Sequence, residues 1–267
     1  MAATDVAATR TRVAMVAPQR LIVTRGLVDV RAEPRDDSEL VDQMHYGEGG
    51  AILARRSGWA FIQSEDHYFG WIPESAAAAA ASRGGFRIVA LPLAEVHERP
   101  DAGSPVVDRV PAGTWLALHP RLDDRGWIWA PPGWLALDAT VLYDELPHRP
   151  PTAADLIVTA EAFLGVPYLW GGTTALGIDC SGFVQQVYRL NGIRLDRDAH
   201  QQAMEGRAVD VPAAGDLIFF GKDAVTHVAL ATGERTFIHA PQRGSQVEHA
   251  KLPAEGRNVR AIRRYLP

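Results

Sequence analysis

An α+β protein carrying a duplicated all-β region ahead of its helices is what this sequence predicts, and three observations carry that. One stretch of the N-terminal half recurs at a constant offset of 66 residues. After residue 151 the apolar pattern becomes helical, and strands then follow the helices instead of alternating with them, which argues against βαβ units. The only cysteine, Cys180, stands where the second of those helices begins.

The duplication comes first in the chain. "VDVRAEPRDDSELVDQMHYGE" (28–48) aligns with "AEVHERPDAGSPVVDRVPAGT" (94–114), matching Val30 to Val96, Pro34 to Pro100, Asp42 to Asp108 and Gly47 to Gly113. With small gaps, "SGWAFIQ" (57–63) matches "RGWIWAP" (125–131), and "FGWIPESA" (69–76) matches "PGWLALDA" (132–139). Each copy has short β-branched or aromatic runs broken by Gly, Pro and Asp, with no helical period. That reads as a small antiparallel barrel made twice. Trp59, Trp71, Trp127 and Trp134 are expected in the barrel cores. "SAAAAAASRGG" (75–85) is expected to be a helical turn and connector, and the proline-rich "DELPHRPP" (144–151) marks the second boundary. The expected organisation is an N-terminal extension (1–19), a first barrel (20–80), a second (81–147) and an α+β domain (148–267).

Within the last domain, "TAADLIVTAEAFLG" (152–165) places Leu156, Ile157, Ala160, Phe163 and Leu164 on one helical stripe, with Gly165 as its stop. "CSGFVQQVYRL" gives a second stripe from Phe183, Val184, Val187 and Leu190, ended by Asn191-Gly192. Strands follow at "DLIFFG" (216–221), "HVALAT" (227–232) and "TFIHA" (236–240).

Composition narrows the function. The 267 residues carry a net charge of −5, which leaves no basic footprint for nucleic acid and no surface suited to an anionic membrane. One cysteine makes no internal disulfide. The N-terminal apolar run, Val13 to Pro18, is short for a secretory signal, and no run approaches a membrane span. The expectation is therefore a soluble cytoplasmic protein. No cofactor and no obligatory protein partner are expected. A thiolate cluster or an HExxH helix is lacking, so no metal is expected either.

Cys180 sits where unpaired helical amides and the helix dipole favour a thiolate. Five of the nine histidines lie outside the last domain or at its border, and of the others His227 and His239 each stand in an apolar strand. A three- or five-residue loop centred on Gly233 would set His227 and His239 directly opposite each other on one face. A two- or four-residue loop would part them. On one face, His227 takes the thiol proton while His239 holds its ring in the right tautomer. The backbone N–H of Cys180 is a candidate oxyanion donor.

"PYLWGGTTALGIDCSGFVQQVY", "AGDLIFF", "THVALAT" and "FIHAPQRGSQV" resemble, in this order, the motifs of the NlpC-type cell-wall cysteine peptidases, across about residues 153 to 265. The paired Gly-Trp elements resemble bacterial SH3-like domains. The resemblance implies a papain-like catalytic domain behind two SH3-like barrels. It implies Cys180 as nucleophile, His227 as general base, His239 as the orienting member, the Tyr168 hydroxyl as an oxyanion donor and Asp216 as structural.

The branch with paired SH3-like domains resembles murein-recycling enzymes that cut between γ-D-glutamate and a diamino acid, lysine or diaminopimelate, and require a free N-terminal L-alanine. The implied partner is thus a small murein peptide. Asp179 is placed to pair with its ammonium and Ser181 to accept a hydrogen from it, and both also suit a helix cap. By motif position the first barrel offers Glu48 and Tyr68. The second has Thr114 at the place of Glu48 and no matching tyrosine, which leaves it as a spacer. Trp170 in "YLWGG", and Arg197 and Asp198 in "RDAHQQ", complete the expected substrate-binding set. Two other readings fit the same residues: a papain-like amidase or acyltransferase on another substrate, and a non-enzymatic wall-binding protein.

Overall fold

Gly47 and Gly113, paired by the repeat, share the same left-handed backbone, with φ of 82° and 84°, as do Gly58 and Gly126 at 81° and 86°. Only glycine takes that conformation without cost, so the duplication is written in the turns as well as in the strands. The protein is described by a computed structural model over residues 19–80, 86–117, 122–123, 126–142, 150–252 and 258–267. The N-terminal extension up to residue 18, the end of the connector (81–85) and most of "DELPHRPP" (144–149) lie outside the described residues.

The first barrel is one antiparallel sheet. Its strands are β1 (Gln19–Val23), β2 (Leu27–Arg31), β3 (Leu40–His45), β4 (Gly49–Arg56), β5 (Trp59–Ser64), β6 (Phe69–Pro73) and β7 (Ala77–Ala79), in the order β3-β2-β6-β5-β4-β1-β7. The polyalanine segment corrects the expected helical turn. After a single 3₁₀ turn, Glu74–Ala76, it runs as β7 and pairs along the free side of β1. Alanine favours helix over strand, but the unpaired edge of β1 offers hydrogen bonds that outweigh that weak preference.

The second barrel has a five-stranded and a three-stranded sheet. It comprises β8 (Phe86–Val89), β9 (Leu93–His97), β10 (Val106–Pro111), β11 (Trp115–Ala117), β12 (Leu122–Asp123), β13 (Trp127–Ala130), β14 (Gly133–Ala136) and β15 (Thr140–Leu142). The expected tryptophan cores are also corrected. Val28, Val30, Ala60, Ile62 and Ile72 fill the first barrel, and Val96, Ile128, Ala130 and Leu135 the second. Trp59, Trp71, Trp127 and Trp134 are half-buried. Strand alternation sends the neighbouring aliphatics inward and the indoles outward. There they form aromatic pairs, Phe61 with Trp71 at 5.2 Å and Trp129 with Trp134 at 5.4 Å between ring centroids.

The chain divides into two compact units, one ending at Arg83 and the other running from Gly84 to Pro267. Ile88, Ala112 and Trp115 of the second barrel bury in one continuous core with Leu156, Phe163, Phe183 and Val187 of the α+β domain. The second barrel is therefore not a spacer: it supplies part of the wall of the domain that follows.

That domain begins with helix α1 (Ala153–Glu161), capped reciprocally by Thr152 and Asp155. It ends four residues before Gly165, and Leu164, expected on the buried stripe, is 40% exposed. Here the chain leaves the helix to form a two-way ladder, Gly165 N–H to Val247 O at 3.0 Å and Val247 N–H to Val166 O at 2.8 Å. A small hairpin, β16 (Thr173–Thr174) and β17 (Gly177–Ile178), leads into α2 (Cys180–Leu190), and a short α3 (Ala199–Gln202) follows. Every residue of α2 except Arg189 is buried, so this helix is the axis of the domain. Against it lies an antiparallel sheet made of β18 (Arg207–Ala208), β19 (Leu217–Phe220), β20 (His227–Ala231), β21 (Thr236–His239), β22 (Glu248–Lys251) and β23 (Val259–Arg264). Its order is β18-β23-β19-β20-β21-β22.

Candidate active site

The start of α2 is fixed by Asp179. Its extended backbone suits an N-cap, and its Oδ1 accepts the Gly182 N–H at 2.7 Å. Oδ2 accepts the Gly171 N–H at 2.9 Å, which ties the 168–172 loop to the first turn of the helix. Cys180 is thereby presented at a rigid helix start.

The two histidines meet. Leu230 pairs with Ile238 and Ala231 with Phe237, and the turn closes through Thr232 N–H to Thr236 O at 2.8 Å. The loop is therefore centred on Glu234, one residue beyond the expected Gly233. In this register His239 falls opposite Ala229, diagonal to His227 and still on its face. Nε2 of His227 and Nδ1 of His239 lie 2.8 Å apart, with the rings edge to face. Phe220 packs on His227 and Phe237 on His239, with centroids at 5.7 and 4.9 Å, and both imidazoles are buried. Glu248, the direct cross-strand partner of His239, brings Oε1 to 3.9 Å from Nε2 of that ring. No motif in the sequence singled out Glu248; only the register of β22 finds it.

The sulfur of Cys180 lies against the strand that begins at His227. It accepts hydrogen bonds from the backbone N–H of Val228 and of Ser181. Burial nevertheless pushes the Cys180 thiol up to about 12, and the charge of Asp179 adds to this, against the smaller lowering effects of the Val228 amide, Arg197 and the Ser181 amide. The residue is only 8% exposed. Desolvation therefore works against the helix start, raising the thiol where the dipole and the amides would lower it. Ionisation requires a base to take the thiol proton, and the expected base is His227, the residue before Val228.

Tyr168 flanks the sulfur. Its backbone N–H bonds Ser245 O at 2.8 Å, and burial, with the charges of Cys180 and Asp179, raises its pKa above the ordinary value. The hydroxyl is thus a proton donor at any working pH. Trp170, next but one, is 54% exposed.

Arg197 stands differently from expectation. It is 1% exposed, with Nη1 2.9 Å from Ser181 Oγ and 3.1 Å from Asp179 Oδ1, and Nη2 2.7 Å from Asp179 Oδ2. A guanidinium closed on both sides by protein groups does not receive a substrate carboxylate, so Arg197 belongs behind the site. Asp198 opens α3, its N–H bonded to Gln201 Oε1 at 3.0 Å. Asp179 and Ser181 do act as expected at the cap, Ser181 Oγ donating to Asp179 Oδ1 at 3.2 Å. Asp216 is buried under a two-point pair with Arg264, both contacts at 2.7 Å.

Glu48 and Tyr68 belong to the first unit, and both are half-buried. Glu48 Oε2 accepts the His45 N–H at 2.8 Å across its own turn. The second repeat has Pro111 at the place of His45, with no N–H to donate, and there Thr114 Oγ1 donates to the Pro111 carbonyl at 2.7 Å instead. The difference between Glu48 and Thr114 thus has a local structural cause.

The family profile described as NlpC/P60 matches residues 165–263, and that of a bacterial dipeptidyl-peptidase SH3 domain matches residues 30–76. A γ-D-glutamyl-L-lysine dipeptidyl-peptidase of Bacillus cereus ATCC 10987 is 32% identical over 255 residues, 86% of this chain and 76% of that protein. This chain belongs to the NlpC/P60 family. The NlpC/P60 chain is also 46% identical over 103 residues to a γ-D-glutamyl-L-lysine dipeptidyl-peptidase of Bacillus subtilis, covering 36% of this chain and 35% of that one. The crystal structure of an NlpC/P60 family protein from Bacillus cereus ATCC 10987 superposes with a TM-score of 0.80 at 26% identity, over 93% of this chain and 100% of that one. The fold is accordingly a papain-like α+β domain with an SH3-like region ahead of it, and the protein is a cysteine peptidase.

Proposed function

We propose that this NlpC/P60 peptidase hydrolyses the γ-D-glutamyl–L-diamino acid bond of peptidoglycan stem peptides whose L-alanine is free, in cytoplasmic murein recycling. The observation that carries the reading is the 2.8 Å contact between His227 Nε2 and His239 Nδ1 beside a helix-start thiol. Similarity to relatives named for cleavage at γ-D-glutamyl-L-lysine supports the choice of bond.

The steps follow from the groups present. With Nε2 bonded to His239, His227 turns Nδ1 to the thiol proton of Cys180. The imidazolium so formed is held by Nε2–H donating to His239 Nδ1. The thiolate attacks the γ-carbonyl of D-glutamate. The tetrahedral oxyanion is met by the Cys180 N–H and the Tyr168 hydroxyl. His227 then gives its proton to the departing amine of the diamino acid. Water, deprotonated by His227, hydrolyses the γ-glutamyl thioester and restores the thiol.

The substrate's ammonium is assigned to Ser181 and Asp179 at the start of α2, and by the family resemblance Glu48 and Tyr68 of the first unit are further candidates to bind it. Trp170 offers an apolar surface to the stem. An acetylated alanine would carry no charge to pair with these groups.

Two assays test this. Cys180→Ala is expected to abolish release of lysine or diaminopimelate from the L-Ala-γ-D-Glu-diamino acid tripeptide, measured by mass spectrometry; retained turnover removes the nucleophile assignment. Acetylating the alanine is expected to stop turnover by the unaltered enzyme, and equal rates on free and blocked peptides would overturn the recycling reading.

A further inference from the structure

Arg197 heads the largest fully buried side chains among the described residues. A buried guanidinium keeps its charge, so the protein must supply an anion for it. It supplies Asp179, the residue immediately before the nucleophile. The carboxylate receives Gly182 N–H, Ser181 Oγ–H and Arg197 Nη1 on one oxygen, and Gly171 N–H and Arg197 Nη2 on the other.

A carboxylate makes a strong helix cap, but its full negative charge lies close to the place where the thiolate must form. We infer that Arg197 is a positioning residue that neutralises the Asp179 cap, so that α2 starts on a carboxylate while the sulfur of Cys180 does not meet an uncompensated anion. The opposed effects of Asp179 and Arg197 on the thiol agree with this geometry. The other ionisable groups around the sulfur are His227 at the start of β20 and Tyr168 from the 168–172 loop, with the charge of Arg243 reaching Tyr168 from the β21–β22 loop. Of these cations, Arg197 alone is bonded to the anion beside the nucleophile.

The inference rests on Cys180 being the attacking group, but its test needs no substrate. The rate of alkylation of Cys180 by iodoacetamide is measured on the full chain between about pH 6 and 9, where rate follows the thiolate fraction. Arg197→Gln is expected to lower that rate about tenfold at each pH, equivalent to about one pKa unit. Arg197→Lys keeps the charge and is expected to stay within about threefold of the parent. Asp179→Asn/Arg197→Gln removes anion and cation together, retains a good cap residue and is expected to return the rate towards the parent value.

Equal losses in Arg197→Lys and Arg197→Gln, or no recovery in the double variant, would show that Arg197 acts by packing and would overturn the inference. Should Arg197→Gln fail to fold, the lysine variant and the double variant still decide it. If Cys180→Ala retained hydrolysis while these alkylation rates moved as stated, the electrostatic role would hold and only the nucleophile assignment would fall.

Discussion

His227 and His239 touch through ring nitrogens 2.8 Å apart although neither is the other's cross-strand partner. The diagonal arrangement has a consequence for tautomers. One nitrogen of the contact must carry a hydrogen and the other must accept it. For His227 to work as a base through Nδ1, the hydrogen belongs on its Nε2, and His239 must present a bare Nδ1. Glu248, 3.9 Å from the far nitrogen of His239, favours a hydrogen there and so favours that arrangement.

The roles of the two histidines are therefore expected to separate. His227→Ala is expected to lower kcat/KM on the stem tripeptide by about 10²- to 10⁴-fold, the range for loss of a general base. His239→Ala is expected to cost less, and His239→Asn, which keeps a hydrogen-bond acceptor, less again. Steady-state kinetics of the three variants check this. Equal losses in His239→Ala and His239→Asn would contradict an orienting role.

Glu48 makes a different kind of prediction. Its Oε2 already accepts the His45 amide, so Glu48→Gln keeps the turn closed while removing the charge. The variant is expected to fold as the parent does and to raise KM several-fold with little change in kcat, the signature of lost ground-state binding. A fall in kcat at constant KM would place Glu48 outside the binding of the free amine.

How far the sequence reached is instructive residue by residue. The helix start at Cys180 was legible because Asp179, a small polar turn and an apolar stripe agree on it. The shared face of His227 and His239 was legible because it depends only on loop parity. The true centre, Glu234, lies one residue from the expected Gly233, which slides the partner by two and leaves the face unchanged. The tryptophans misled because size and hydrophobicity do not say which side of a two-sided strand a residue takes. Ala77–Ala79 misled because a strand needing a partner overrode local preference. Arg197 was the least legible. Its neighbours in sequence are charged and turn-forming, while its real environment, Asp179 and Ser181, is 18 and 16 residues away.

The shared core of the second unit predicts a stability coupling. Trp115 is buried at the seam where Ile88 and Ala112 join the core of the α+β domain. Trp115→Ala is expected to cost about 3–5 kcal/mol, as for large aromatic truncations in a core. The loss should appear in the unfolding of the catalytic domain, followed by the intrinsic fluorescence change and the loss of peptidase activity together. Trp134→Ala, half-buried on an outer face, is expected to cost less. If the catalytic domain of Trp115→Ala melted like the parent while the barrel alone was lost, the two would be independent folding units.

Alkaline pH tests the buried acids as a group. The Cys180 thiol is pushed from an ordinary 9.0 up to about 12, and Tyr168, Tyr188 and Tyr265 are all raised by burial from an ordinary 10.0. Tyr188 also donates to the Gly215 carbonyl, and Tyr265 to that of Gln202. In each case the folded state holds the proton more tightly than the unfolded chain does. Their contribution is therefore fully present below about pH 9 and is lost as pH rises through the unfolded and then the folded values. Urea midpoints are expected to show no loss from these groups between neutrality and about pH 9, and a decline above it. Cys180→Ser lacks the group that titrates first, so its decline should begin later, where the tyrosines of the unfolded chain ionise. A parent midpoint that held constant to pH 11, or a serine variant that declined from the same pH as the parent, would mean that the thiol is not held in its protonated form by the fold.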